Sequence, residues 1–182
     1  HLLPDMLAAA AHLQAQAPQC RFLLPLAATA PAALVAELVS QSQVPVALHR
    51  GQTYEILAAA DIAVVASGTA TLETALSGTP MVIVYRLSPL TYYVGRLLIR
   101  VSHIGMANLL AEEGLFPELI QHEVTPERIA AEVLNIIREP ARLARISAGL
   151  KRIWHRLGGP GASERAAAAA LEILGLPQQP EK

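Results

Sequence analysis

Two apolar, β-branched runs lie close together in this chain: "DIAVVA", Asp61 to Ala66, and "MVIVYR", Met81 to Arg86. Runs that are apolar at nearly every position belong to strands covered on both faces, as in parallel sheets. Parallel neighbours need a crossover, usually a helix. The intervening "SGTATLETALSGTP" has room for one short helix, Leu72 to Ser77, with Gly78 and Pro80 to stop it. This strand–helix–strand unit constrains the whole chain more than any other feature.

The same alternation extends in both directions. Leu2 to Gln16 has helical spacing and ends before Pro18. "RFLLPLA", Arg21 to Ala27, reads as a strand, Pro31 to Val39 as a helix, "VPVALH", Val44 to His49, as a strand, and Thr53 to Ala60 as a short helix. Beyond Arg86 come a helix over Pro89 to Ile99 and a loop through Asn108. Three helices follow, over Pro126 to Ile137, Pro140 to Trp154 and Ala162 to Leu174. Alternating strands and helices predict an α/β fold with a doubly wound parallel sheet and a helical carboxyl-terminal extension. The expected division is a Rossmann-like domain over 1–140, helices over 141–176 and a frayed tail over 177–182.

Composition narrows the function. The 182 residues are 53% hydrophobic and carry a net charge of −1, with only 4% aromatics. That suits one core-forming domain, and neither the charge nor the aromatic content supports a nucleic-acid partner. Cys20 is the single cysteine, so no disulfide forms within the chain and a cysteine-based metal site is not expected. No apolar run is long enough to span a bilayer. The six histidines lack metal-binding spacing, and the phosphate-loop, dinucleotide and nucleophile-elbow motifs are absent.

The turn after "DIAVVA" is the candidate site. In open α/β sheets, ligands bind at the carboxyl ends of strands. Ser67, Gly68 and Thr69 are small enough for a ligand to approach the backbone, and unpaired N–H groups at the start of the next helix attract anions such as a diphosphate. Glu73, one turn on, is placed to accept hydrogen bonds from a ribose diol. The residues alone equally allow an ordinary helix start, with Glu73 placed favourably in the first turn.

From Ala66 to about Leu134 the sequence strongly resembles the lipid-A-disaccharide synthase family. Four blocks carry the resemblance in order and spacing: Ser67 to Glu73; Met81 to Arg86 with Ser88-Pro89-Leu90-Thr91; Asn108-Leu109-Leu110; and Pro117 to Gln121. The resemblance implies the carboxyl-terminal, donor-binding half of a GT-B glycosyltransferase. Such an enzyme moves 2,3-diacylglucosamine from UDP onto 2,3-diacylglucosamine 1-phosphate, with inversion and without a metal or other cofactor. Carried over by position, Ser67, Gly68 and Thr69 face the diphosphate and Glu73 holds the ribose. Asn108 sits near the donor, with Glu118 and Gln121 beside it. Arg86 either meets a phosphate or is solvated.

Two departures stand out. Ala107 precedes Asn108 where the family usually has Pro, and Ala111-Glu112-Glu113-Gly114 replaces a segment that commonly carries Gly-Arg. The resemblance also places a strand and a Gly-Ser-Arg turn before His1, and the acceptor-binding domain with the catalytic base before those. The chain alone is therefore expected to be inactive and to carry an exposed sheet edge.

The implied setting is the cytoplasmic face of the inner membrane in a Gram-negative-type bacterium, as a peripheral protein. Leu90 to Ile104, with Arg96 and Arg100, either rests on that surface or packs on the sheet. The Ala-rich last helix is expected to pack on the amino-terminal domain or to form a homodimer. Competing readings are a MurG-like transferase or a UDP-GlcNAc 2-epimerase relative, and a non-catalytic nucleotide-binding module.

Overall fold

The computed structural model describes residues 2–88, 103–158 and 161–174. The helix expected over Pro89 to Ile99, most of the Leu90 to Ile104 segment and the tail over 177–182 lie outside the described residues. Five strands and eight α-helices are described. The strands are β1 (Phe22–Leu26), β2 (Val46–Arg50), β3 (Ala63–Ala66), β4 (Met81–Tyr85) and β5 (Glu118–Ile120). The helices are α1 (Leu3–Gln16), α2 (Ala32–Ser40), α3 (Thr53–Ala59), α4 (Ala70–Leu76), α5 (Met106–Ala111), α6 (Pro126–Arg138), α7 (Pro140–Leu157) and α8 (Ala162–Ile173).

All pairing is parallel, as the apolar runs predict. β1 pairs with β2, Leu24 opposite Leu48, and β3 pairs with β4, Val65 opposite Ile83. Where the sequence predicts a loop, residues 118–120 form β5 beside β4, with Val84 opposite Leu119. A three-residue strand opened by Pro117 and Glu118 has too little periodicity to read. The 106–111 stretch, also expected as loop, is the helix α5.

The expected single sheet is divided: β1 and β2 form one sheet, and β3, β4 and β5 another. Burial follows the division. Met81, Val82, Ile83 and Val84 of β4 are at most 1% exposed. In β3 only Val65 is buried, although "DIAVVA" reads as an equally apolar strand. β4 is flanked on both sides and β3 on one, and a strand needs neighbours as well as apolar residues to be covered.

Helices cover the sheets on two sides. Each parallel pair is joined through a helix, β1 to β2 by α2 and β3 to β4 by α4. α1 packs against α6, and α7 lies across α4 and α5. Thr125 caps α6 by accepting a hydrogen bond from the Arg128 N–H, and Pro126 occupies the first turn, where its missing donor is harmless. Ile146, Leu150 and Ile153 of α7 join the core that contains β4. Residues 140–157 therefore pack with the domain the sequence reading ended at 140. In α8, by contrast, no residue is buried.

Ile83→Ala is expected to lower the free energy of unfolding by about 2–5 kcal/mol. Leu23→Ala in β1, where the side chain is 44% exposed, is expected to change it by only about 0.5–1 kcal/mol. Urea denaturation of the two variants measures the contrast.

Candidate functional site

Parallel strands bring their carboxyl ends to one edge. Ser67 follows β3, Arg86 follows β4 and Gln121 follows β5. Residues far apart in sequence thus converge on one edge of the sheet.

At the β3 end the chain turns sharply into α4. Gly68 has φ +147°, a conformation side-chain-bearing residues rarely adopt. The Thr71 hydroxyl donates to the Gly68 carbonyl at 2.8 Å, and the Thr74 hydroxyl donates to the Ala70 carbonyl at 2.7 Å. These two buried threonines fix the turn, and the sequence reading did not single them out. The Ser67 N–H donates to the Val84 carbonyl, while Thr71 and Leu72 donate back to Gly68 and Thr69. The N–H groups of Gly68, Thr69 and Ala70 have no partner among the described residues. The Glu73 carboxylate, half-buried one turn on, likewise has none. The turn thus combines three free donors with a free acceptor.

The Ser67 side chain is engaged. Its hydroxyl donates to the Ile104 carbonyl at 3.1 Å, which ties the turn to the segment entering α5. That segment is held from beyond. The Glu118 carboxylate accepts from the N–H groups of Ile104 (2.8 Å) and Gly105 (3.0 Å) and from the Asn108 amide (2.7 Å). A Cβ at Gly105 would lie 2.5 Å from the Ile83 side chain and 3.0 Å from Glu118, so any larger residue must displace them.

Asn108 is fully buried. Its Nδ2 donates to the Phe116 carbonyl and to Glu118, and its Oδ1 accepts from the N–H groups of Leu115 and Phe116. Both donors and both acceptor sites of the amide are occupied. In this structure Asn108 and Glu118 shape the edge through the backbone of residues 104–105 and 115–116.

Arg86 and Gln121 are also committed internally. The Arg86 guanidinium donates to Asp5 at 2.6 Å and to the Val124 carbonyl at 2.7 Å, joining the start of α1 to the ends of β4 and of the turn after β5. It is thus not merely solvated. Asp5 is a partner that the sequence gave no reason to select. Gln121, at φ +54°, accepts from the Leu87 N–H and donates to the Leu87 carbonyl, closing the edge as another strand residue would.

The unusual Glu112-Glu113 pair faces α7. Glu112 pairs with Arg156 at 2.9 Å and Glu113 pairs with Arg152. The Arg156 hydrogen bond holds the Glu112 carboxyl below its ordinary pKa. These carboxylates, which replace the expected Gly-Arg, have their counter-charges within the same chain. Among the described residues, no group of His, Cys, Asp and Glu is placed to hold a metal ion, and no helix is long and apolar enough to cross a membrane.

A model of the lipid-A-disaccharide synthetase family matches residues 1–173. The chain belongs to this family. The lipid-A-disaccharide synthase of Syntrophus aciditrophicus is 48% identical over 174 residues, which are 95% of this chain and 45% of that protein. The synthases of Geobacter metallireducens and Nitrosococcus oceani are 45% and 41% identical, over 96% and 95% of this chain and 45% and 44% of theirs. The chain therefore spans less than half the length of these relatives. A crystal structure of the glycotransferase of kitacinnamycin superposes with a TM-score of 0.57 at 22% identity, over 97% of this chain and 41% of that one. That likeness bears on the fold alone.

Asn108→Ala leaves the Leu115 and Phe116 N–H groups and the Phe116 carbonyl without the amide that serves them and removes one of the three donors to Glu118; it is expected to cost about 1–3 kcal/mol in urea unfolding. Asn108→Asp sets a second carboxylate against Glu118. The folded state then holds a proton more tightly than the unfolded chain. Its stability deficit is expected to be largest at neutral pH and to shrink as the pH falls through the carboxylate range. Urea titrations at successive pH values measure this.

Proposed function

We propose that residues 67–73 hold the UDP part of a sugar-nucleotide donor. The chain is then the donor-binding portion of an inverting glycosyltransferase of its family. One observation carries the reading: the N–H groups of Gly68, Thr69 and Ala70 and, one turn on, the Glu73 carboxylate have no partner among the described residues. Three successive backbone donors suit a diphosphate, and a carboxylate at that remove suits the two hydroxyls of a ribose.

The transfer follows from the family. The bond between the sugar's anomeric carbon and the diphosphate breaks as a hydroxyl of 2,3-diacylglucosamine 1-phosphate attacks from the opposite face. The hydroxyl proton passes to a base outside this chain, and UDP departs with an added negative charge. Backbone donors aimed at that charge stabilise its departure and take the place of a cation, so no metal is assigned. Ser67, Asn108 and Glu118 act by positioning the segment beside the turn, while Arg86 and Gln121 brace the strand ends. By this assignment the chain is inactive alone. The acyl chains of both sugars place the longer protein at the cytoplasmic face of the inner membrane. Helix α8, with no residue buried, meets the remainder of that protein.

Calorimetric titration of UDP tests the site. Glu73→Ala is expected to weaken UDP binding about tenfold, or 1.4 kcal/mol, without changing the unfolding midpoint by more than a surface substitution does. Equal affinity in the parent and variant chains overturns the ribose assignment.

A further inference from the structure

Helix α7 carries a stripe along one side. Arg142, Arg145, Gly149, Arg152 and Arg156 recur at steps of three, four, three and four residues, which stacks them on a single face of the helix. The last four meet the loop that leaves α5. The Arg145 guanidinium donates to the Gly114 carbonyl at 3.1 Å, Arg152 pairs with Glu113, and Arg156 pairs with Glu112 and donates to the Leu110 carbonyl. Gly149 is buried against Leu115: a Cβ there would lie 2.2 Å from one Leu115 methyl carbon and 2.7 Å from the other. Arg142 instead joins α7 to α6, pairing with Glu132 at 3.0 Å.

Exposed ion pairs of this kind add little to stability. Here they determine where the loop lies. Glu112 ends α5 at φ +57°, a left-handed conformation that side-chain-bearing residues seldom adopt, and Arg156 pairs with its carboxylate there. Leu115, 3% exposed, rests where any side chain at residue 149 would displace it. The same loop supplies the backbone on which Asn108 closes. The Leu115 and Phe116 N–H groups donate to the Asn108 Oδ1, and the Asn108 Nδ2 donates to Glu118. Glu118 accepts from the Ile104 and Gly105 N–H groups, and the Ile104 carbonyl accepts from the Ser67 hydroxyl. A continuous chain of contacts thus runs from α7 to the turn at 67–70. Packed side chains and hydrogen-bond networks of this sort carry coupling between separated parts of a fold.

We propose that Gly149, Arg152 and Arg156 are positioning residues for the candidate donor site. They act through the 110–116 loop, and through Asn108 and Glu118, on the placement of residues 104–105 against Ser67. The Glu112-Glu113 pair, in the segment that commonly carries Gly-Arg, is the loop's half of this clamp, and the arginines of α7 match its charge. Reversing the charge at residue 152 sets a third carboxylate beside Glu112 and Glu113 and drives the loop from its seat. The affinity readout below rests on the donor reading of residues 67–73; the amide readout does not.

The test compares the chain with Gly149→Ala, Arg152→Glu, the exchanged pair Glu113→Arg/Arg152→Glu, and Arg142→Gln. Proton–nitrogen NMR spectra are recorded without ligand, with Val82 and Val84 of β4 reporting an intact fold. Gly149→Ala and Arg152→Glu are expected to move the amide signals of Ile104, Gly105 and Ser67 as well as those of residues 113–116. The exchanged pair is expected to return them to the parent positions. Arg142→Gln breaks the pair with α6 and is expected to leave them in place. Calorimetric UDP affinity is expected to fall at least fivefold in Gly149→Ala and Arg152→Glu, and to stay within twofold of the parent in the exchanged pair and in Arg142→Gln. Arg152, with its side chain 55% exposed, can be replaced without opening the core, so it carries the test even where Gly149→Ala fails to fold. Changes that stop at residue 116, or that Arg142→Gln produces equally, overturn the positioning role. So does UDP affinity left unchanged by Arg152→Glu, or left low in the exchanged pair. A parent chain that does not bind UDP overturns the donor reading instead, and the amide signals then decide the clamp alone.

Discussion

Burial of β4 is the constraint on which the rest of the structure depends. Met81, Val82, Ile83 and Val84 contact no solvent to speak of, so both faces and both edges of this strand must be supplied by other elements. β3 and β5 provide the edges, and the surrounding core draws on α1, α6 and α7. Because every pairing in this sheet is parallel, the carboxyl ends of three strands fall on one side. The candidate site is a by-product of that arrangement: the residue after each strand has only this edge to occupy.

A second layer of order lies in how the edge is finished. Backbone groups past the end of a strand lose their ladder partners, and buried ones must find others. Here side chains supply them. Glu118 receives two consecutive N–H groups, Asn108 serves the 115–116 backbone, and Gln121 pairs with both backbone groups of Leu87. Such polar networks tolerate little change, because removing one member strands several others. The turn at 67–70 differs in kind. Its threonines are buried, and its leading N–H groups have no partner among the described residues.

The sequence made the central architecture legible because the relevant signals are local. "DIAVVA" and "MVIVYR" are apolar without interruption, and Gly78 and Pro80 punctuate the helix between them. The Ser67–Glu73 block could be placed at a strand end for the same reason. What stayed hidden was non-local. β5 is recognisable only through its partner β4. Arg86 looks like a free cation until Asp5, from the far end of the chain, is brought against it. Asn108 and Glu118 hold each other and the backbone of residues 104–105 and 115–116, partners that only the folded chain brings beside them. The covering of β3 likewise depends on its neighbours, which its own residues cannot report.

The Ser67–Ile104 hydrogen bond has a consequence for how the molecule is made. Ser67 leaves the ribosome before residues 104 and 118, but the segment that receives its hydroxyl is held in place by Glu118, and β5 cannot pair before it has emerged. The turn at the end of β3 therefore acquires its final shape only after the sheet has been closed from its downstream side. During synthesis the apolar β3–α4–β4 unit exists for a time with an unfinished edge. The hydrogen bond from Ser67 to the Ile104 carbonyl needs both ends of that edge to be present.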